Sequence, residues 1–449
     1  MSGRLGAVLI SLTAVLALAW AAGGSASTAE PQPPQGEPAA STPAERLEMP
    51  PGWLSSDTLL GLPSWVNLGI NWTAQPFVNP VGGERQLSNG MQQGTLSLAL
   101  GSGLGKAPDQ WREIDRWSLA LSVNHYGGNP NYANAIGALY ALQAIAYPSG
   151  FLPGELSLNR SGAGDWLNLK AGMVPMNPSF ISAPIFNSYV HSAFNNTLNL
   201  GLVNLQSQSN VSLPISPYAA WGGIASLQPR ADLALSYGWF DLASTPSIAS
   251  LLGGPALPRL SASGSAQILQ LTWSPAAFGP AAGSSIAACR GRAGVQRRRG
   301  PCRHPLEVAS QLPGGLLSLG ALGSNSEGRA SFASLTARSG LPIGLDERLW
   351  LGGSWATNAD QSLGPRFIGG GWLIQGLLPK RPLDLLLLGV GQGSGLGNGP
   401  EAMVELGYQW QVNRNLCLQP TLQWILHPAL DWPTPAGILA GGLQINVAF

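Results

Sequence analysis

Few side-chain combinations in this sequence could perform catalysis. No GxSxG nucleophile elbow or HExxH metal-binding pattern occurs. The four histidines are scattered along the chain: His125, His191, His304 and His427. Glu401 and Glu405 would lie on the same face of a strand, but a spacing of about 13 Å is too long for a glycosidase pair. We therefore predict that the chain is not an enzyme.

The segment Ala287–Pro305 concentrates unusual chemistry. It reads AACRGRAGVQRRRGPCRHP and holds six arginines and two of the three cysteines. A metal site from Cys289, Cys302 and His304 would have too few ligands, and their spacing fits no zinc pattern. A basic loop that binds lipopolysaccharide or phosphate is an alternative. The sequence favours a disordered loop or a stretch translated out of frame, and we predict neither a metal nor a cofactor.

A run of alternating glycines extends from Gly389 to Gly399, reading GVGQGSGLGNG. It does not open a helix with an acidic residue downstream, as a dinucleotide site would require. We interpret it as a flexible loop between strands.

The elements that would position these residues are strands. The last nine residues read GGLQINVAF, and strand side chains alternate between two faces. Leu443, Ile445, Val447 and Phe449 therefore share one face, while small and polar residues form the other. Such a strand suits the boundary between lipid and water, and an amphipathic edge strand of a soluble sheet is the alternative. The ending resembles the C-terminal strand of outer-membrane β-barrels, and that resemblance implies that Phe449 is part of an assembly signal.

The same alternation recurs along the chain in roughly 16 to 18 segments of about 9 to 11 residues, the length that crosses a bilayer when tilted. Tryptophans near segment ends suit two aromatic girdles: Trp72, Trp117, Trp239, Trp273, Trp410 and Trp424. A soluble sandwich would need fewer strands. The predicted fold is all-β, a single transmembrane antiparallel barrel of about 16 strands.

Composition supports a membrane location. Charged residues are 10% of the chain and the formal net charge is +1, so nothing indicates nucleic acid as a partner. Beyond the N-terminal region, no apolar run reaches the roughly 18 residues that a spanning helix needs. A membrane protein without such helices must be a closed barrel, because lipid tolerates no unpaired backbone.

The chain divides into three predicted parts. Residues 1–26 have a positive start, an apolar run and small residues for cleavage, as a signal peptide does. Residues 27–58 form a spacer rich in Pro, Ala and Glu, and residues 59–449 form the barrel, with 287–305 as an atypical Arg-rich loop. The predicted location is the outer membrane, with its lipid as a partner.

Polar side chains fall on the face opposite the apolar one and would line a pore. The predicted pore-lining residues are Trp166, Asn168, Lys170, Asp232, Glu405, Gln409, Gln419 and Gln423. Amides and charges hydrogen-bond sugar hydroxyls, and aromatic rings stack on sugar rings. Each of these residues, taken singly, could also contact only the water of the lumen without binding a sugar. VHSAFNN, from Val190 to Asn196, is a candidate for a loop that folds over or into the lumen.

Several stretches together resemble the carbohydrate-selective porins of the OprB family. They are LCLQPTLQWILHPA, GLQINVAF, LKAGMVPMNPSF followed by FNSYVHSAFNN, YAAWGGIASLQPRADLALSYGWFDLAS and QLPGGLLSLGALGS. The resemblance covers the chain from about Leu60 to Phe449. It departs at Thr421, where the family has Asp, at Met173, where more polarity is expected, and in the Arg-rich segment.

The resemblance implies a barrel of about 16 strands, usually a homotrimer, through which small hydrophilic solutes such as sugars diffuse across an outer membrane. A non-selective or inorganic-ion porin on the same fold is the first alternative. A secreted sugar-binding protein or hydrolase is the second.

Overall fold

The computed structural model describes residues 46–47, 60–63, 65–101, 116–162, 166–195, 213–244, 264–279, 285–289, 305–325, 328–339, 345–356, 366–378, 380–394, 400–428 and 437–449. In this part of the chain no helix combines the length and the apolar character needed to cross a bilayer.

Sixteen long strands form one closed barrel. Its first eight strands are β2 (Val66–Val81), β3 (Ser88–Gly101), β4 (Arg116–Gly127), β5 (Gly150–Ser161), β6 (Leu167–Val174), β7 (Ala220–Arg230), β8 (Leu233–Asp241) and β9 (Ser265–Trp273). Its last eight are β12 (Leu316–Ser324), β13 (Gly328–Ala337), β14 (Glu347–Ala356), β15 (Arg366–Gln375), β16 (Leu385–Ser394), β17 (Pro400–Gln411), β18 (Leu416–Ile425) and β19 (Ile438–Ala448). The barrel predicted from the alternating segments is confirmed, with strand lengths of 8 to 16 residues.

Neighbouring strands pair antiparallel in sequence order, and two pairings close the ring. β9 pairs with β12, and the last strand β19 pairs with β2. Phe449 continues this second pairing beyond the strand: its backbone N–H donates to Ile70 O at 2.8 Å, and the Ile70 N–H donates to Phe449 O at 3.2 Å. The end of the chain is therefore built into the closure.

Three short strands form a separate sheet that does not pair with the barrel strands. They are β1 (Arg46–Leu47), β10 (Ser285–Cys289) and β11 (Pro305–Ala309), in the order β1–β11–β10. The two ends of the predicted Arg-rich loop thus lie in β10 and β11, whereas residues 290–304 fall outside the described residues. Because β9 pairs directly with β12, the insertion between them adds no strand to the barrel wall.

Strand alternation gives the wall two different faces. On β17 and β18 the outward side chains are Leu406 (45% exposed), Trp410 (43%), Leu422 (47%) and Trp424 (52%). The inward side chains of the same strands include Glu405, Gln419 and Gln423, which are buried. The alternation of these strands predicted from sequence is confirmed, and the apolar side chains form the outer surface.

Because the strands alternate in direction, their connections fall on two rims. We call the rim that holds Phe449 the C-terminal rim. The connections after β4 and β6 leave from the opposite rim, and their described residues turn inward. The described connections include one short helix, α1 (Tyr132–Ile136), and 3-10 turns at Pro184–Ser188, Leu242–Ser244 and Ala276–Phe278.

Candidate functional site

Two connections fold into the lumen over their described residues. We call the β4–β5 connection, residues 128–149, segment A, and the β6–β7 connection, residues 175–219, segment B; segment B is described over 175–195 and 213–219. Tyr140 of segment A and Phe186 and Tyr189 of segment B are at most 1% exposed. They pack in one cluster with inward wall residues such as Trp350 and Phe367. The described part of VHSAFNN, Val190–Asn195, belongs to segment B, so its inward position is confirmed.

Two wall carboxylates hold these segments. Glu401 accepts hydrogen bonds from the backbone N–H groups of Leu139 and Tyr140, at 2.7 and 3.2 Å. Glu405 accepts from Val190 and His191, at 2.8 and 2.7 Å. Both glutamates are fully buried. Glu405, predicted to line the pore, lies beneath segment B.

An amide network links the same wall to segment B. Gln409 and Gln419 both donate to the carbonyl oxygen of Ser188, at 3.1 and 2.9 Å. Gln419 also accepts from Gln444 at 3.3 Å, and Gln444 accepts from Gln75 at 2.5 Å. These four side chains connect β17, β18, β19 and β2 in sequence, so their polarity is engaged within the protein.

Gln423, another predicted pore-lining residue, contacts segment A. Its Nε2 donates to the carbonyl oxygen of Leu142 at 2.9 Å. The β17–β18 wall therefore binds both inward segments through polar side chains.

The first half of the run Gly389–Gly399 is strand and not loop. Gly389, Gly391 and Gly393 lie in β16, and only residues 395–399 fall outside the described residues. A Cβ on Gly389 would lie 2.7 Å from Cε1 of Tyr189, and one on Gly391 would lie 2.6 Å from Cε1 of Phe194. A Cβ on Gly393 would meet the Tyr140 hydroxyl. The prediction of a flexible loop is wrong here, because the period-two glycines make room for aromatic rings of both segments.

The wall formed by β5 and β6 has polar side chains that are partly exposed. Lys170 of β6 forms an ion pair with Glu155 of β5 at 2.9 Å, and their side chains are 29% and 18% exposed. Glu155 also accepts a hydrogen bond from Ser157, which Asn159 approaches at 3.2 Å. Asn168 lies on the same face of β6 as Lys170. This side of the lumen combines charge, amides and hydroxyls with partial exposure.

Trp166 and Asp232 lie near the C-terminal rim. Trp166 directly precedes β6 and is 56% exposed. Asp232 lies in the β7–β8 turn, where the Trp273 indole N–H donates to its Oδ2 at 3.0 Å and Arg230 pairs with it at 2.8 Å. The hydrogen bond from Trp273, with that from Arg230, lowers the pKa of this carboxyl group. The structure places Asp232 in a turn and not in the barrel wall.

Sequence reasoning did not assign a structural role to Glu401, Glu405 or the glycines of β16. The sequence offered two signals. Two glutamates share one face of a strand, and glycines repeat at every second position. Neither signal identifies its partners, which lie far away along the chain.

Comparison with known families decides the identity of this barrel. The profile of the carbohydrate-selective porin, OprB family, matches residues 115–449. The chain belongs to this family. It is an outer-membrane porin for small hydrophilic solutes of the carbohydrate class.

A solved structure of the same family supports the fold of this OprB-family porin. The high-pH structure of Pseudomonas putida OprB is similar with a TM-score of 0.65 and 16% identity, covering 90% of this chain and 100% of that chain. The low-pH structure of the same protein gives a TM-score of 0.49, 14% identity and the same coverage. A mutant of the Rh. blastica porin gives a TM-score of 0.49 and 8% identity, covering 86% of this chain and 100% of that chain. A comparison with curated proteins finds no match.

Proposed function

We propose that sugars cross this porin along the lumen wall formed by β5 and β6, with Trp166, Asn168 and Lys170 as successive contacts. The observation that carries this proposal is the division of the lumen. The polar groups of the β17–β18 wall bind segments A and B. The Lys170–Glu155 pair stays partly exposed.

The chemistry of this wall suits a neutral, hydroxyl-rich solute. Amides and charges exchange hydrogen bonds with sugar hydroxyls, and an indole offers a face for a sugar ring. Successive side chains on one face of a strand are about 7 Å apart, so one ring can pass from one contact to the next. Each contact must be weak, since a solute has to leave as readily as it enters.

Asp232, Glu405, Gln409, Gln419 and Gln423 have other roles in this proposal. Glu405 and the three glutamines shape the lumen by holding segments A and B, and Asp232 organises the β7–β8 turn. None of them needs to touch the solute.

The same proposal includes a homotrimer in outer-membrane lipid and no catalytic activity. The apolar outer face supports contact with lipid. The engagement of Glu401 and Glu405 with backbone N–H groups leaves neither carboxylate free for acid–base chemistry. Chemical cross-linking in detergent tests the trimer, and a ladder that ends at one subunit would contradict it.

The function is tested by ion current through single channels in planar bilayers, with a panel of sugars as blockers. Trp166→Ala should weaken sugar block several-fold with little change in ion selectivity, because it removes only a stacking surface. Lys170→Gln should weaken sugar block and also shift the reversal potential, because it removes a lumen charge.

Lys380→Gln is the matched control for charge removal. Lys380 is exposed in the β15–β16 connection at the C-terminal rim, away from the proposed route. Should neither lumen variant alter sugar block while Lys170→Gln alone shifts selectivity toward cations, the sugar route fails and an inorganic-ion pore on the same fold replaces it.

A further inference from the structure

The two carboxylate contacts on β17 repeat one arrangement. In each, the two oxygens of a glutamate accept from two consecutive backbone N–H groups of an inward segment: Leu139 and Tyr140 for Glu401, Val190 and His191 for Glu405. Consecutive N–H groups that converge form a concavity for an anion. Here the anion is a side chain of the wall, and charge-assisted hydrogen bonds of this kind are stronger than neutral ones.

We propose that Glu401 and Glu405 are positioning residues that set the width of the pore, each fastening one inward segment to β17. The proposal rests on the proposed function in one respect, that the lumen beside these segments is the path of the solute. It goes further by assigning the constriction to two carboxylates of a single strand.

The two glutamates hold the two segments at different heights of the same strand. They occupy inward positions four residues apart on β17, about 13 Å by the strand rise. Segment A is therefore fixed at one level of the wall and segment B at another. The segments also contact each other, since the Ser192 N–H donates to Ala141 O at 3.0 Å.

A carboxylate is required at both positions. Two N–H donors need two acceptor oxygens, and a glutamine supplies one oxygen and would turn its own NH₂ toward the second donor. Removing the side chain would leave two buried N–H groups without their acceptor, which favours movement of the segment to find water.

The experiment measures single-channel conductance and the size limit for neutral polymers in salt without sugar. Only protein with the faster gel mobility of an unheated, folded barrel is used. Glu401→Ala and Glu405→Ala should each raise the conductance at least about two-fold or split it into fluctuating levels, because the released segment no longer narrows the lumen. Glu405→Gln should give a smaller effect, and the double alanine variant a larger one.

Glu347→Ala is the matched control. Glu347 is also a buried wall carboxylate with two N–H donors, but these are the Ser339 backbone at 2.8 Å and the Trp372 indole at 3.1 Å, both outside segments A and B. Its removal should leave the conductance and the polymer limit unchanged.

The proposal would be overturned if folded Glu401→Ala and Glu405→Ala kept the wild-type conductance and polymer size limit. It would also be overturned if Glu347→Ala raised the conductance by the same factor. If Glu405→Ala does not assemble, Glu405→Gln decides. Wild-type conductance in that variant, or its own failure to assemble, would overturn the proposal. Because no sugar is present, these outcomes are separate from the failure of sugar block that would end the proposed route.

Discussion

At the residue scale, burial determines the protonation state of the His191 imidazole. It lies in segment B with no exposed surface, and its Nδ1 accepts from the Ala193 N–H at 3.2 Å. Its Nε2 has no hydrogen-bond partner among the described residues. Burial lowers the pKa of this imidazole from 6.5 to about 3, so the ring is neutral in the folded protein at ordinary pH.

This lowered pKa predicts a loss of stability in acid. Below a pH of about 6.5 the unfolded chain takes up a proton that the folded chain refuses until a pH of about 3, so the free energy of unfolding falls across that window. Above pH 6.5 the histidine adds no pH dependence to the free energy of unfolding. Between pH 7.5 and 4.5 its titration lowers the free energy of unfolding by at most about 3 kcal/mol.

His191→Gln keeps an acceptor for Ala193 but cannot titrate in this range. Urea unfolding at the two pH values, followed by tryptophan fluorescence, should show a smaller acid loss in His191→Gln than in the wild type. Other titrating groups are common to both proteins and cancel in the comparison. Equal losses would show that the burial of His191 has no effect on acid stability.

At the element scale, β16 is shaped by what packs against it. Its inward glycines face Tyr189, Phe194 and Tyr140, whereas its outward residues Leu388 and Val390 are exposed. From Gly389 to Gly393 the strand carries no inward side chain, so large aromatic rings can lie close to its backbone. The glycines at every second position of β16 are therefore explained by the aromatic rings of segments A and B that pack against them.

Gly391→Val should destabilise the barrel by about 1–3 kcal/mol, because the new side chain would overlap the Phe194 ring and force segment B or β16 to shift. Gly94→Val in β3 is the control, since nothing lies within 4 Å of a Cβ at that position. The midpoint of urea unfolding checks both variants. If Gly94→Val is as destabilising as Gly391→Val, loss of glycine alone is responsible.

The final strand, β19, gives a prediction about assembly. Phe449 exchanges backbone hydrogen bonds with Ile70, and these do not depend on its side chain. Phe449→Ser should therefore lower the amount of folded barrel in the outer membrane through loss of the terminal aromatic, while the surviving channels conduct normally. Ala448→Ser, one residue earlier and on the other face, is the control. Normal yield of Phe449→Ser in membrane fractions would refute the assembly role.

At the scale of the whole molecule, closure of the barrel is independent of its insertion. β9 and β12 pair directly from Trp273↔Leu317 to Ala266↔Ser324. Strands β10 and β11, on either side of residues 290–304, pair with each other, and β11 also pairs with β1. The wall therefore does not use the Arg-rich segment.

Deletion of Ala287–Pro305 should consequently leave barrel folding intact. Heat-modifiable gel mobility and single-channel conductance should match those of the wild type, because every barrel strand pairing is retained. A deletion variant without the folded mobility would mean that the segment is needed for assembly.

The sequence by itself determined the barrel. Alternation is a local property, since each strand residue faces either the outer surface or the lumen according to its position. The patterns of β17, β18 and β19 could therefore be read without knowledge of any partner, and they predicted the outward residues Leu406 and Trp424 and the inward residue Gln444.

Only the tertiary structure decided what occupies the lumen. Glu401 contacts Leu139, 262 residues away, and Glu405 contacts Val190, 215 residues away. An inward glutamate or glutamine looks the same in sequence whether it faces water or a folded-in segment. The difference depends on which long-range backbone groups need an acceptor once they are buried, and burial of those groups exists only after the barrel has closed around segments A and B.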